Sequence, residues 1–149
     1  MTSSAVPGYR TGKICYLEIP AVDAERSADF YHRAFGWAVR HDSDGRVAFD
    51  DTVGGVSGRW VVGRAPATEP GLVVSIMVAD AGATVVAITA AGGEIVRPVD
   101  EDAEVQFAWF RDPAGNVLGI YQQPGLAAAE ADAELVDMPE SSKPMTRWF

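Results

Sequence analysis

The residues best placed for chemistry sit in the first apolar segment of the chain. Residues 13–20 read Lys-Ile-Cys-Tyr-Leu-Glu-Ile-Pro. Alternation along a strand puts Tyr16, Glu18 and Pro20 on one face and Cys15, Leu17 and Ile19 on the other. Glu18 is a carboxylate in the middle of an apolar strand. In a partly desolvated pocket its pKa rises, which suits a general acid or base. The plainer alternative is a carboxylate paired to an arginine in a polar wall or exposed at a rim. Tyr16 and Tyr121 can donate hydrogen bonds to a ligand carbonyl, stack on a ring, or simply pack. Trp60 offers the same choices without the hydroxyl. Cys15, on the apolar face, is expected to be buried against a helix and inert. His32 lies on a helical segment and His41 at a strand end, and both read as surface-bonded side chains. The glycine pairs Gly54-Gly55 and Gly92-Gly93 serve turns and helix stops. They lack the strand and helix that flank a phosphate-binding loop.

The elements that must hold these residues follow a pattern that runs twice. After the first strand, Asp23 caps a helix over residues 24–35, with Ala24, Ala28, Tyr31 and Phe35 on one stripe and Gly36 as its stop. Strands follow at 37–41, 46–49 and 56–63, with turns at Ser43-Asp44-Gly45 and at Asp50 to Gly55. Residues 64–71 carry two prolines and read as a linker. A second strand–helix pair then covers 72–78 and 81–91, with Asp80 as cap, Ala81, Val85 and Ile88 on the buried stripe, and Gly92-Gly93 as stop. Strands at 94–98, 104–110 and 117–122 complete it. Asp80 follows Asp23 by 57 residues. Phe49-x-Asp51-x-x-Gly54-x-Val56-x-Gly58-x-Trp60 returns as Phe110-x-Asp112-x-x-Gly115-x-Val117-x-Gly119-x-Tyr121 at an offset of 61. Two copies at this period describe a duplicated βαβββ unit and not a solenoid. The predicted class is α+β: two tandem βαβββ modules forming a curled mixed sheet around a cavity, with the helices on the outer face. Module one spans 12–63 and module two 71–124 of a single domain, 12–124, followed by a C-terminal extension, 125–149.

Composition narrows the partners. A chain of 149 residues with 48% apolar residues can bury one ordinary core. A net charge of −9 argues against nucleic acid or an anionic membrane as the main partner, because both need a basic patch. The first residues lack the charged and apolar regions of a signal peptide, and no apolar run is long enough to span a bilayer. A single cysteine rules out an intrachain disulfide and a cysteine cluster for zinc. A soluble cytoplasmic protein is the expectation.

The doubled unit closes on Asp112-Pro113-Ala114-Gly115-Asn116. With Ile19-Pro20-x-x-Asp23, the Phe30-Tyr31-x-x-x-Phe35-Gly36-Trp37 run and Ala91-Gly92-Gly93, it resembles the glyoxalase / bleomycin-resistance / extradiol-dioxygenase (vicinal-oxygen-chelate) superfamily over about residues 12–124. The resemblance implies ligands for a metal on the first and last strands of each module, pointing into the curled sheet. Carried across the repeat, those positions are Tyr16 and Val73, and Gly58 and Gly119. Valine and glycine have no donor atom and a lone neutral tyrosine is a poor ligand, so neither a metal nor another cofactor is expected. The cavity face is then Tyr16, Glu18, Val73, Ser75, Met77, Val117, Gly119, Tyr121 and Gln123, with Val56, Gly58, Trp60 and Val62 from module one's last strand. The opposite set is apolar, as helix-packing positions should be. Trp109, alternating with Phe107, is expected in core or dimer packing.

The function these residues imply is a glyoxalase/bleomycin-resistance-like protein that binds a small organic molecule in a metal-free pocket. Tyr16, Trp60, Val73, Ser75, Met77 and Tyr121 would contact the ligand. Glu18 would be the catalytic residue if the protein is an isomerase, epimerase or lyase working by proton transfer. Two alternatives stand beside it: a non-catalytic protein that sequesters a drug or metabolite, and a metal-dependent lyase or dioxygenase with ligands elsewhere. The resemblance also implies a homodimer. In the extension, residues 126–136 are rich in alanine and glutamate and can form one short helix. Trp148-Phe149 would dock on this subunit or a partner, or remain unattached.

Overall fold

The structure is a computed structural model and describes residues 8–137. The docking of Trp148-Phe149 therefore falls outside the described residues. Strand β1 (Tyr16–Ala21) leads into α1 (Ala24–Phe35), which starts where expected because the Asp23 carboxylate accepts the Arg26 N–H at 3.2 Å. Gly36 ends the helix with φ at 76°, a left-handed position open to glycine, and its N–H donates to the His32 carbonyl. Strands β2 (Ala38–His41), β3 (Val47–Asp50) and β4 (Ser57–Val62) complete module one. Module two repeats the order with β5 (Ser75–Val78), α2 (Ala81–Ala90), β6 (Glu94–Arg97), β7 (Phe107–Arg111) and β8 (Val117–Gln122), and α3 (Leu126–Asp137) follows.

Each module is one four-stranded mixed sheet, ordered β1-β4-β3-β2 and β5-β8-β7-β6. The first and last strands of a module run parallel, and the other neighbours are antiparallel. The fold is therefore α+β with two tandem βαβββ modules. Strand β5 is shorter than the apolar run from residue 72 suggests. The Val117 N–H donates to Ala67 of the linker at 2.9 Å, so residues 72 and 73 find no ladder partner on β8. Strand β7 starts at Phe107, later than the sequence suggests, and the Gln106 side-chain amide before it donates to the Asp100 and Ala103 carbonyls of the preceding loop.

The helix-side faces of both sheets share one core. Ile19 and Trp60 contribute from sheet one, Leu118 and Ile120 from sheet two, and α1 touches both. Phe30 packs on Phe110 at 5.9 Å, and Tyr31 stacks on Trp37 at 4.7 Å. Full burial of each such ring is worth about 2–3 kcal/mol. Tyr31 also donates its hydroxyl to Asp112 at 2.8 Å, where burial and the adjacent carboxylate hold the phenol well above its ordinary pKa. Asn116 donates to Asp112 and to the Pro20 carbonyl and accepts from Ala67 N–H. The closing turn of module two thus fastens α1, the end of β1 and the linker together. No helix among the described residues is long and apolar enough to cross a membrane.

Candidate functional site

The expected pocket depended on the faces of β1, β4, β5 and β8, and one of these is reversed. Residue 60 pairs with Ile19, and Ile19 faces α1. Trp60 is therefore on the helix side, buried against Tyr31 and Phe49, and cannot line an open-face pocket. Among the described residues its indole N–H has no hydrogen-bond partner. The cause is turn length. In module two the turn closes with Asp112 N–H donating to Asn116, and in module one with Asp51 N–H donating to Val56. The extra residue shifts the ladder, so Phe110 pairs with Leu118 but Phe49 pairs with Gly58. A one-residue slip moves every side chain of a strand to the other face. Arg59 and Ser57, expected outside, therefore take the open face beside Glu18 and Tyr16.

That placement decides the state of Glu18. Arg59 lies beside it across the parallel pair, and both Arg59 and Arg64 bond its carboxylate at 3.2 Å. The Arg64 and Arg59 guanidiniums hold its carboxyl below the usual range, against an opposing contribution from desolvation. This corrects the raised pKa expected from the sequence: the carboxylate is exposed and paired. Tyr16, Glu18, Arg40, Arg46, Ala48 and Arg59 line a charged groove of about 380 Å³ on module one. Arg40 is itself paired with Asp50 at 3.0 Å, and Ser57 donates to the same carboxylate, so Asp50 is also held below its ordinary pKa. Cys15 is exposed, not buried as expected, and stands just before β1.

In module two the expected faces hold. Ser75 pairs with Gly119 and Met77 with Tyr121, opposite to the buried Ile120. Phe107 and Trp109 lie on the same face, and the Arg97 guanidinium sits 4.2 Å from the Phe107 ring centre. Trp109 is accordingly half-buried under Arg97 and not in the core. Val73 is half-buried just before β5. His41 bonds Glu25 at 2.7 Å, and His32 Nδ1 lies 2.9 Å from the Trp37 carbonyl. The proposed ligand set is thus split: Tyr16 and Glu18 border the charged groove, while Ser75 and Met77 border a different cavity.

The four strand positions that the resemblance assigns to a metal are Tyr16, Val73 and Gly119, with Arg59 in place of Gly58 once the true register is applied. That donor set does not fit a divalent ion. No three His, Cys, Asp or Glu side chains among the described residues cluster closely enough to hold one.

The cavity bordered by Ser75 and Met77 is the larger, about 500 Å³. It lies between the modules. Leu17, Trp37, Phe49 and Val56 form its module-one wall, and Val74 and Ile76 its module-two wall. Leu126 and Glu130 of α3 close one side, and the turn residues Asp51, Thr52 and Val53 another. Residues expected only to pack against helices, Leu17, Val74 and Ile76, are half-exposed where the two sheets fail to meet. The sequence carried one signal of this: a helical segment after the last strand that the duplicated fold does not require.

Comparison with known proteins places these features. A family model described as a glyoxalase-like domain matches residues 16–121. A glyoxylase-like domain-containing protein of Didymella fabae is 32% identical over 123 residues, covering 76% of this chain and 96% of that relative. Among solved structures, a member of the glyoxalase/bleomycin resistance protein/dioxygenase superfamily from Sphaerobacter thermophilus superposes with a TM-score of 0.61 at 20% identity, over 74% of this chain and 96% of its own. A glyoxalase-related enzyme from Fulvimarina pelagi gives 0.59 at 22% identity, over 76% and 89%.

Proposed function

The chain belongs to the glyoxalase-like domain family, and within it we propose that this protein binds a small, largely apolar organic molecule between its two modules and holds it without turning it over. The cavity of about 500 Å³ carries this reading. It has the volume of a ligand pocket, an apolar and aromatic wall, and a few polar groups at its edge. Glu18 supports sequestration over proton transfer. A carboxylate bonded by two arginines is a weak base, and it borders the other groove. The donor set on the strands supports a metal-free pocket for the same family. The homodimer implied by the resemblance belongs to this reading, with light scattering on the purified protein as its check.

The test is a fluorescence titration with N-phenyl-1-naphthylamine, a neutral probe that brightens in apolar surroundings. Saturable binding is expected at one probe per chain. Ile76→Trp, which fills the cavity, should abolish it, and Glu18→Gln should leave it unchanged. Should Ile76→Trp fold poorly, amide shift mapping of the wild type gives the same answer. Shifts centred on Leu17, Phe49, Val74 and Ile76 support the reading. Absence of saturable binding, or shifts centred on Tyr16, Arg40 and Arg59, overturns it.

A further inference from the structure

We propose that the occupant of this cavity is a lipophilic cation, an apolar ring or chain bearing an ammonium group, and that Glu130 on α3 is the residue that receives its charge. This rests on the cavity being the ligand site and adds the chemical class of the ligand.

Among the described residues the lining holds two carboxylates and no Lys, Arg or His. Asp51 is already committed: its carboxylate accepts from Gly55 N–H at 2.8 Å and from the Val53 and Val56 N–H groups at 3.2 Å. Glu130 is different. Among the described residues it has no hydrogen-bond or ion-pair partner within reach. Leu126 and Glu130 stand four residues apart on α3, so one helix face presents an apolar side chain and a carboxylate to the same space. The opposite walls offer apolar surface from Trp37, Phe49, Val74 and Ile76 and only the uncharged hydroxyls of Ser75 and Thr52 as polar side chains. An anionic ligand would meet Glu130 without a cation to offset it, and a neutral one would gain at most a hydrogen bond. An amine on an apolar body satisfies both halves of the site. A net charge of −9 adds a field that draws cations toward the chain.

A matched series tests the assignment by displacement of N-phenyl-1-naphthylamine: 1-naphthylmethylammonium, 1-naphthylmethanol and 1-naphthoate share one ring and differ in charge. The ammonium should displace the probe about fivefold better than the alcohol, the advantage of one partly exposed ion pair, and the carboxylate should be the weakest. Rising salt should shrink the difference. Glu130→Gln should bring the ammonium level with the alcohol, each scored against that variant's own affinity for the probe, and Glu130→Lys should favour 1-naphthoate. Equal displacement by all three, or an ammonium preference that survives Glu130→Gln, overturns the inference while the cavity remains a ligand site. Failure of N-phenyl-1-naphthylamine to bind wild type removes the site itself and the inference with it.

Discussion

The two modules share a motif and use it differently. Each has a Phe, then two residues on an Asp that opens a turn, and each Asp takes backbone N–H groups on its carboxylate. In module two the turn is buried. Asp112 and Asn116 are almost inaccessible, and they bond α1, β1 and the linker. In module one the turn is one residue longer, lacks the asparagine, and stands at the edge of the cavity. One copy became a fastening and the other a wall. The same extra residue turned β4 over, so module one's open face carries Glu18, Arg59, Asp50 and Arg40, whereas module two's carries Met77, Tyr121, Phe107 and Trp109. A duplication preserves the path of the chain more faithfully than it preserves which side of a strand faces water.

The sharpest break in that comparison uses the paired glycines. A Cβ on Gly58 would stand 2.1 Å from the Leu17 carbonyl and 2.5 Å from the Phe49 ring, neither of which can move cheaply. A Cβ on Gly119 would meet the Ser75 hydroxyl at 2.8 Å, which can rotate away, and Trp109 at 3.3 Å. Gly58→Ala should destabilise by about 3 kcal/mol or more, the upper range for overpacking a core. Gly119→Ala should cost about 1 kcal/mol or less. Urea unfolding of both variants checks this. Equal costs would mean that β4 and β8 present these glycines to similar surroundings, and the register difference would fall.

A second break uses the two aspartates. Asp112→Ala leaves the buried Tyr31 hydroxyl and one of the two Asn116 amide N–H groups without an acceptor, at a cost of about 3 kcal/mol. For a domain of this size that lowers Tm by roughly 10 °C. Asp51→Ala removes three turn bonds that water can replace, and should cost about 1 kcal/mol. Thermal melts separate the two. Comparable losses would show that module one's turn is a fastening as well.

Much of this architecture was legible because it is written in local chemistry. Asp23, Gly36 and Asp80 mark helix ends by their own hydrogen bonds and backbone angles, and the apolar alternation of β1, β5 and β8 sets their faces. Trp60 was misplaced because its face depends on the length of a turn, and matching Gly54 and Val56 to Gly115 and Val117 by spacing hid the inserted residue. For Glu18 the sequence leaves an acid or base and an arginine-paired carboxylate both open, because the arginines that lower its pKa lie 41 and 46 residues away. Once Arg59 is turned to the open face, the pairing follows. The cavity was illegible for a different reason. It is made where two sheets and α3 fail to fill space, and no single segment encodes that.

The smallest expected effect concerns acid. Glu18 and Asp50 both have carboxyls held below their ordinary range by arginines, on the open face of module one. A depressed carboxylate contributes stability in full above its unfolded pKa, about 4 for these side chains, and loses it as pH falls through the folded value. The double variant Glu18→Gln, Asp50→Asn should therefore flatten the fall in stability below about pH 4. At neutral pH it should cost only the small amount that exposed ion pairs are worth. Module two's open face behaves otherwise. Tyr121→Phe alters aromatic packing and removes no carboxylate, so it should displace the whole curve without changing its slope. Urea midpoints taken from pH 3 to pH 7 distinguish a change of slope from a displacement. An unchanged acid limb in the double variant would mean that these ion pairs hold no more in the folded chain than in the unfolded one. The contrast between a charged face and an aromatic one would then be a difference of composition and not of energy.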